Sequence, residues 1–570
     1  MTFYILGFVV IITNVYNIFL DKFINWQLKN SNLCSILFGF AFEMCLLPAQ
    51  KSGSTLDGSL TSVSSESFVH ATSFREGSQN VGAEPKFLII GAGAAGIACA
   101  VSLLRKGFKC VTIIEAENRI GGRIYSKQFG HNIIEMGAQW CHGETGNIVF
   151  QMVNGKNMLR SSSYIYTNFD CIRSDGSVVP HDVVKKLKTI LAQIFARRDE
   201  ELPTFEGTLG EYLFKNFFKI LYRDEYKNID EVIAKEFFEN FAKIERSETS
   251  AGLDEMSGRG FQSYKTCDGD YLLHFEEGFL HFLRTLMGAD ELSNDLGILE
   301  DKILFGIRVK EIIWKRHDFK VEVTCENTSA VFLVDHVIVT VSLGVLKRKV
   351  QQMFTPELPL SKLNAIEGLG YGSIMKIYLE FPAPFWSSHW TGLAMLWREE
   401  DVAEIRDSQR AWLEDIYGFY RVPRQPCTLV GWLVGSNIPL VETMSDFDVI
   451  DGCLYLLRRF LPQWKINNAV DLARTTWDTN INFNGSFSFR SLKTEELSTS
   501  SAELAQPITI LGPAPTYRIL TPLKGALAVK PVVQFAGEAT HDYYFGTVHG
   551  AVETGIREAK RLEGYYAVDI

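Results

Sequence analysis

The stretch Phe87–Ala116, FLIIGAGAAGIACAVSLLRKGFKCVTIIEA, leaves this chain few folds to choose from. Phe87–Ile90 is an unbroken apolar run, the mark of a short strand buried on both faces. Ala94–Lys106 reads as a helix with Ile97, Val101 and Leu104 on one side, and Gly107 stops it. Cys110–Glu115 is the next strand. Gly91, Gly93 and Gly96 fall between strand and helix as G-x-G-x-x-G. Glycines there permit a tight turn and let a pyrophosphate approach the unpaired N–H groups of the helix N-terminus. Small residues also serve close helix–sheet packing, so the motif alone is weak. Strand, glycines, helix, strand and Glu115 in one register make a dinucleotide site. Glu115 can accept hydrogen bonds from a ribose, and an acid there disfavours the 2′-phosphate of NADP. Arg119-Ile120-Gly121-Gly122-Arg123 follows at once. It is a second anion-facing turn, suited to an extended pyrophosphate; the plain alternative is a surface turn with a solvated arginine.

Further strand-like pieces come late. Ala330–Val341 (AVFLVDHVIVTV) reads as buried strand and Pro531–Ala536 (PVVQFA) as another, with helical runs at Val449–Phe460 and Thr554–Leu562. The middle, Asn154–Asp290, is charged, aromatic and helical in period (EVIAKEFFENFAKIE). Sheet-forming segments at the start, middle and end imply a doubly wound α/β nucleotide domain that is discontinuous, with a second, α+β domain inserted in two pieces. The expected division is 86–160, 291–350 and 506–565 for the nucleotide domain, and 161–290 with 351–505 for the substrate domain. Before them lie a hydrophobic leader over 1–50 and a Ser/Gly-rich, disordered linker over 51–85. Phe3–Leu20 carries no charge, which suits a signal or an anchor, though Asn14 and Asn17 weaken it. A working leader would place the chain in the secretory route or on a membrane, and without one it is cytoplasmic. The ending AVDI is not a peroxisomal address.

The chain of 570 residues is 46% hydrophobic and 22% charged, an ordinary globular balance with room for two full cores. Its 57 basic and 67 acidic residues argue against nucleic acid and agree with small cationic ligands. None of the ten cysteines forms a C-x-x-C pair, so no structural zinc is expected. EMGAQWCHGETG, Glu135–Gly146, sets Cys141 beside His142. A metal pair lacks further ligands, which leaves a thiol with its base or a histidine lining a pocket.

Taken together, GAGAAG, IIEAENRIGGR, EMGAQWCHG, HVIVTVSLGVLK, YGSIMKIYLEFPAPFW, TTWDTNINFNGSFSF and FAGEATHDYYFGTVHGAVETG resemble the flavin-containing amine oxidases, and within them the animal polyamine oxidases. The resemblance runs from Phe87 to about Leu562. It implies a two-domain FAD-binding fold, non-covalent FAD because Ser486 stands where a covalent attachment would need cysteine, and no metal. It implies that Glu115 holds the adenosine ribose, that Arg123 lies by the pyrophosphate or flavin, and that Val309 meets the adenine. Ala138, Gln139 and Trp140 would pass along the flavin ring, with Trp477 packed nearby. Glu538 would approach the ribityl–pyrophosphate region, and Val548 would offer its backbone N–H to the flavin carbonyl edge. Lys376 would hold a water against the flavin; a lysine snorkelling from a strand edge is the plainer reading. Phe487 and Thr547 would flank the substrate amine, and His142 would orient it, against the alternative of a histidine bonded only to a backbone carbonyl. Cys141 would be a small packing residue. The implied reaction oxidises a C–N bond of spermine, spermidine or an N1-acetylated form with O2, giving an aldehyde, a smaller amine and H2O2. Rival readings are an FAD-bound protein without turnover and an oxidase of monoamines, amino acids or methyl-lysine. Ser342 departs from the family's usual proline and should alter a turn, not chemistry.

Overall fold

The computed structural model describes residues 83–289, 295–515, 517 and 526–567. The leader and nearly all of the Ser/Gly-rich linker therefore lie outside the described residues. No helix among the described residues is long and apolar enough to cross a membrane.

Phe87–Ile90 is the hub of a six-stranded sheet. It pairs in parallel with Val111–Ile114 on one side and His336–Val339 on the other. Ile303–Leu304 extends the first side; Leu527–Phe535, then the antiparallel Ile508–Pro513, extend the second. Helices Ala94–Arg105 and Val548–Ala567 pack on one face over Phe87, Ile89 and Ile113. On the other face Leu88, Ile90, Val337 and Val339 meet a smaller four-stranded sheet and helix Leu343–Met353. Both faces are covered, which is why these strands read as continuous apolar runs.

The run Ala330–Val341 is not the single strand its composition suggests. It divides into Val331–Val334, in the four-stranded sheet, and His336–Val339, in the six-stranded one. The break is Asp335. Its carboxylate accepts from the Lys86 N–H (3.0 Å) and from the ammoniums of Lys320 (2.6 Å) and Lys530 (3.3 Å). A charged group so bonded cannot be slid into an apolar ladder, and the chain turns there.

A second six-stranded sheet, ordered Asp471–Arg474, Ile374–Glu380, Thr428–Val434, Ile416–Arg421, Gly392–Leu396 and Asp170–Arg173, forms the other half. Helices His181–Phe195, Leu209–Leu221 and Glu231–Thr249 cover one face, and Asp446–Phe460 lies against the other. The expected borders at 290 and 350 cut pieces from the nucleotide core. Phe282, Leu283 and Met287 of helix Leu280–Met287 pack with Phe87, and Ala365, Ile366 and Leu504 pack beneath Leu88. Short helices without a neighbouring strand signal give no hint of which core they join. Ser342 caps helix Leu343–Met353: its Oγ accepts from Val345 N–H (3.2 Å) and donates to Phe483 O (2.6 Å). The departure from proline thus makes a helix start.

His336, fully buried, binds Pro531 O through Nδ1 (2.5 Å) and the Tyr566 hydroxyl through Nε2 (2.6 Å). Burial, with the Lys530 charge nearby, depresses it to about 3, so it folds neutral. The unfolded chain takes up this proton below about pH 6.5, so the histidine withdraws stability as pH falls from there toward 3. Denaturant titration should give an unfolding free energy lower at pH 5.5 than at 7.5, with about 1 kcal/mol of the difference vanishing in His336→Gln. Tyr566→Phe should cost about 1–3 kcal/mol by orphaning a buried ring nitrogen.

Candidate active site

A large cavity of about 320 Å³ runs between the two sheets, within the range of ligand pockets. One end is the glycine loop. Gly93 caps helix Ala94–Arg105 without any side-chain hydrogen bond, so the first N–H groups of the helix are left to the cavity, which Gly93, Ala94 and Ala95 line. A Cβ on Gly96 would lie 1.9 Å from Gly91 O, so only glycine lets the helix start so close to the strand end. Gly93 and Gly121 form a parallel bridge, which ties the RIGGR turn to the first loop. Glu115 is buried, and its oxygens accept from Ala92 N–H (2.6 Å) and Glu117 N–H (2.8 Å). Burial raises its pKa while those two N–H groups pull it down. Its remaining lone pairs suit ribose hydroxyls. Val309, with Ile307 and Arg308, lines the same end.

Arg119 is no solvated turn residue. It donates to Gly122 O (2.8 Å) and lies 4.3 Å over the Tyr125 ring. Arg123 reaches the cavity wall and joins three distant segments, bonding Ser486 O (2.7 Å) and Glu538 Oε1 (2.8 Å). Glu538 Oε2 takes Ser488 Oγ–H (2.6 Å) and Gly546 N–H (2.7 Å). Uncapped helix end, glycine cradle and arginine together fit the pyrophosphate of a dinucleotide.

The ribbon Glu135–Gln139 passes through the middle. Ala138 N–H donates to Arg123 O (3.0 Å), and a Cβ on Gly137 would strike that oxygen at 1.8 Å. From the second sheet Tyr378 Oη–H donates to Glu135 O (2.7 Å), and from the turn after its edge strand Trp477 Nε1–H donates to Met136 O (2.9 Å). Lys376 lies opposite Trp432 in the sheet register, its ammonium 4.9 Å over that ring. The Nζ contacts Glu135 O (2.9 Å), Gly137 O (2.8 Å) and Gln139 Oε1 (2.8 Å). All three donors of an ammonium are spent on protein acceptors, so a water at Nζ must displace one of them. Burial drives Lys376 down and Glu135 up, while the acceptors and their mutual attraction favour the charged pair. Lys376 is buried and bonded, not snorkelling.

His142 lines the cavity, with its Nδ1 3.0 Å from Tyr271 O. A carbonyl can only accept, so Nδ1 carries the proton and Nε2 keeps its lone pair. Burial lowers the imidazole to about 4, so it is neutral near pH 7. The carbonyl-bonded and the pocket-lining readings hold at once. Cys141 is buried with its thiol pushed up to about 12, a poor nucleophile. No metal-binding cluster occurs among the described residues.

Trp140, stacked on Trp432 at 5.7 Å, shares the cavity wall with Phe487, Thr547 and Val548. The Thr547 hydroxyl is consumed: it donates to Tyr544 O (2.6 Å) and accepts from Gly550 N–H (3.0 Å), capping helix Val548–Ala567. It adds shape to the pocket rather than a hydrogen bond.

Residues that sequence reasoning missed stand at the far end. Glu245, Ser247, Glu248 and Thr249, from the last turn of helix Glu231–Thr249, line the cavity with Tyr264 and Tyr271. Glu245 is 2% exposed and its Oε2 has no hydrogen-bond partner. Burial raises Glu245 well above the usual carboxylate range, and desolvation of the Glu248 carboxyl at the cavity wall raises that otherwise exposed residue to about 7. Ser250, in the left-handed conformation that ends the helix, donates to Phe487 O (2.8 Å). Helical period places Glu245 and Glu248 on one face, but that signal does not tell a buried face from a wet one.

The sequence profile of the flavin containing amine oxidoreductases matches residues 94–562. The chain is 28% identical to the peroxisomal N(1)-acetyl-spermine/spermidine oxidase of Bos taurus, over 84% of this chain and 95% of that one. It is 27% identical to protein anon-37Cs of Drosophila lebanonensis, over 84% and 88%. The fold is that of a putrescine oxidase solved with putrescine bound, at TM-score 0.59, 15% identity, and coverage of 84% and 99%. The animal-type blocks, the glycine cradle and the two-sheet fold agree with that match: the chain belongs to the flavin-containing amine oxidoreductases, as an FAD-dependent amine oxidase.

Proposed function

We propose that this oxidase acts on polyamines, spermine, spermidine or their N1-acetylated forms, with O2, releasing an aldehyde, a smaller amine and H2O2. The observation that carries this reading is the acid pair. Glu245, buried, and Glu248, exposed at the cavity wall, lie at the C-terminal end of a helix, where the dipole disfavours negative charge, and Glu245 has an unpartnered oxygen. A long cation reaching from the reacting amine to these carboxylates offsets all of those costs. Relatives named for polyamine substrates support the same class.

FAD, when bound, supplies the two-electron acceptor chemistry. Residues 86–160, 291–350 and 506–565 are proposed to hold it, less the border pieces noted above, and 161–290 with 351–505 to hold substrate. Gly91, Gly93, Gly96, Glu115, Arg123, Val309 and Glu538 form its nucleotide side; Ala138, Gln139, Trp140, Trp477 and Val548 form its ring side. His142 offers the Nε2 lone pair to a substrate N–H. Phe487 and Trp140 exclude water from the amine and present ring faces to it. Lys376 holds the ribbon against which the amine lies.

Peroxide release should be measured across spermine, spermidine, N1-acetylspermine, a simple monoamine and an amino acid. Preference for the polyamines is expected; turnover of only the last two would sink the proposal, and no turnover with FAD bound would favour a binding protein. His142→Ala should lower kcat/KM for the preferred polyamine about 10- to 100-fold with FAD content unchanged. Because the imidazole titrates near 4, wild-type kcat/KM should show no histidine inflection near pH 6.5. Glu248 titrates near 7, so its ionised form gains as pH rises through that value and kcat/KM should rise with it. Glu248→Gln should remove that rise and lower kcat/KM about 10-fold or more, while FAD content stays constant.

A further inference from the structure

Arg490 follows strand Phe487–Phe489 and lines the cavity with Gly260 and Phe261. Its backbone is fixed, because Ser257 N–H donates to Arg490 O (3.1 Å). Its side chain uses the room that Gly260 leaves, since a Cβ there would lie 2.8 Å from Arg490 Cβ. Ser263 orients the guanidinium: its Oγ accepts from Arg490 Nε–H (3.0 Å) and donates to Gly260 O (2.5 Å). That bond uses one of the five N–H donors of an arginine. Among the described residues no protein acceptor takes the others, and no carboxylate lies within ion-pair distance. Glu495 and Asp542 attract the group from farther off, and Glu495 is already paired with Arg259 (3.2 Å). Burial pulls the pKa of Arg490 down, yet an arginine keeps its charge. Arg123 and Arg308, which also line the cavity, each hold a carboxylate, that of Glu538 and that of Glu326. Arg490 differs from both in having its fork uncommitted.

A half-buried guanidinium with free donors binds an oxygen acceptor and repels an ammonium. Of the polyamines proposed above as substrates, only the N-acylated forms carry such an acceptor; free spermine and spermidine end in ammonium groups on both sides. We propose that Arg490 is a specificity-determining residue, whose Nη groups hydrogen-bond the acyl oxygen of an N-acylated polyamine and disfavour the unacylated one. This inference rests on the polyamine reading. The chemistry of the acyl group agrees with it. An amide nitrogen shares its lone pair with its carbonyl and cannot form an imine, so oxidation falls on the next, internal amine. Such a substrate has two unlike arms, one ending in a neutral amide and the other in an ammonium. The cavity has two unlike recognition points on separate elements, Arg490 after strand Phe487–Phe489 and Glu245 with Glu248 on helix Glu231–Thr249. An ammonium in place of the amide would bring like charge against Arg490, and an unfavourable contact of that kind discriminates as well as a favourable one.

The test compares the FAD-loaded full-length enzyme with its Arg490→Leu and Arg490→Gln variants, following peroxide release from spermine, N1-acetylspermine and an amino acid. Wild-type kcat/KM should favour N1-acetylspermine over spermine about tenfold or more. In Arg490→Leu, kcat/KM for N1-acetylspermine should fall about tenfold, mostly through KM, while that for spermine rises about twofold or more. Arg490→Gln keeps a donor without the charge, so it should recover part of the loss on N1-acetylspermine and retain the gain on spermine. FAD content should match wild type in both variants. Opposite signs on two substrates cannot come from a general loss of structure. Equal shifts on both polyamines, or none, would overturn the role of Arg490 and leave the polyamine reading standing. Turnover of the amino acid alone would overturn both, and its loss in Arg490→Leu would assign the guanidinium to a carboxylate.

Discussion

The bonds that hold the ribbon Glu135–Gln139 are the interaction on which the site depends. Three successive carbonyls, of Glu135, Met136 and Gly137, receive Tyr378 and Lys376 from the second sheet and Trp477 from the turn after its edge strand. On its other side the ribbon bonds Arg123, part of the nucleotide half. Every donor is buried, and a buried donor without its acceptor costs about 1–3 kcal/mol, more for an ammonium. Lysine and ribbon therefore need one another. The lysine's three donors all go to the ribbon, and among the described residues one group, Lys376, bonds Glu135, Gly137 and Gln139 at once. A wall fixed from both halves holds the cavity between the two sheets in one shape.

Charge is distributed along that cavity. The glycine-loop end offers an uncapped helix N-terminus and Arg123, and the far end offers Glu245 and Glu248 at a helix C-terminus. His142, neutral at physiological pH, sits where neither sign is fixed. At an effective dielectric near 20, two unit charges at 4 Å interact by about 4 kcal/mol, enough to orient a ligand with opposite charges at its ends.

The nucleotide half was legible because each level of the sequence repeated the same statement. Phe87–Ile90 is apolar throughout, the glycines fall between it and a helix, and Glu115 ends the following strand, so period, turn chemistry and charge agree. The blocks around Lys376, Phe487 and Val548 could be placed by resemblance, but not the contacts they make. That Thr547 would spend its hydroxyl on its own helix, or that Lys376 would use all three donors on one ribbon, depends on groups far away in sequence. The break at Asp335 was hidden for a related reason. An aspartate inside AVFLVDHVIVTV looks like a tolerated polar intrusion until Lys320 and Lys530 arrive from other segments. The acids of the pocket were the least legible, since EVIAKEFFENFAKIERSET has charges all round and its period cannot say which of them face water.

Those acids also explain why the helix ends where it does. Glu231–Thr249 stops at Ser250, whose φ of 59° is a conformation that costs a non-glycine residue about 1 kcal/mol or more. Glycine would adopt it freely, but glycine has no hydroxyl to donate to Phe487 O. That bond fixes the last turn, and with it Glu245 and Glu248, relative to the aromatic wall of the cavity. A strained serine, the buried Glu245 carboxyl with its unpartnered oxygen, and an unfavourable helix dipole at one helix end all lower stability without a ligand. They become consistent once a cation is placed between Phe487 and the acids, because the spacing that the serine enforces is then the spacing between the two points at which a long amine is held.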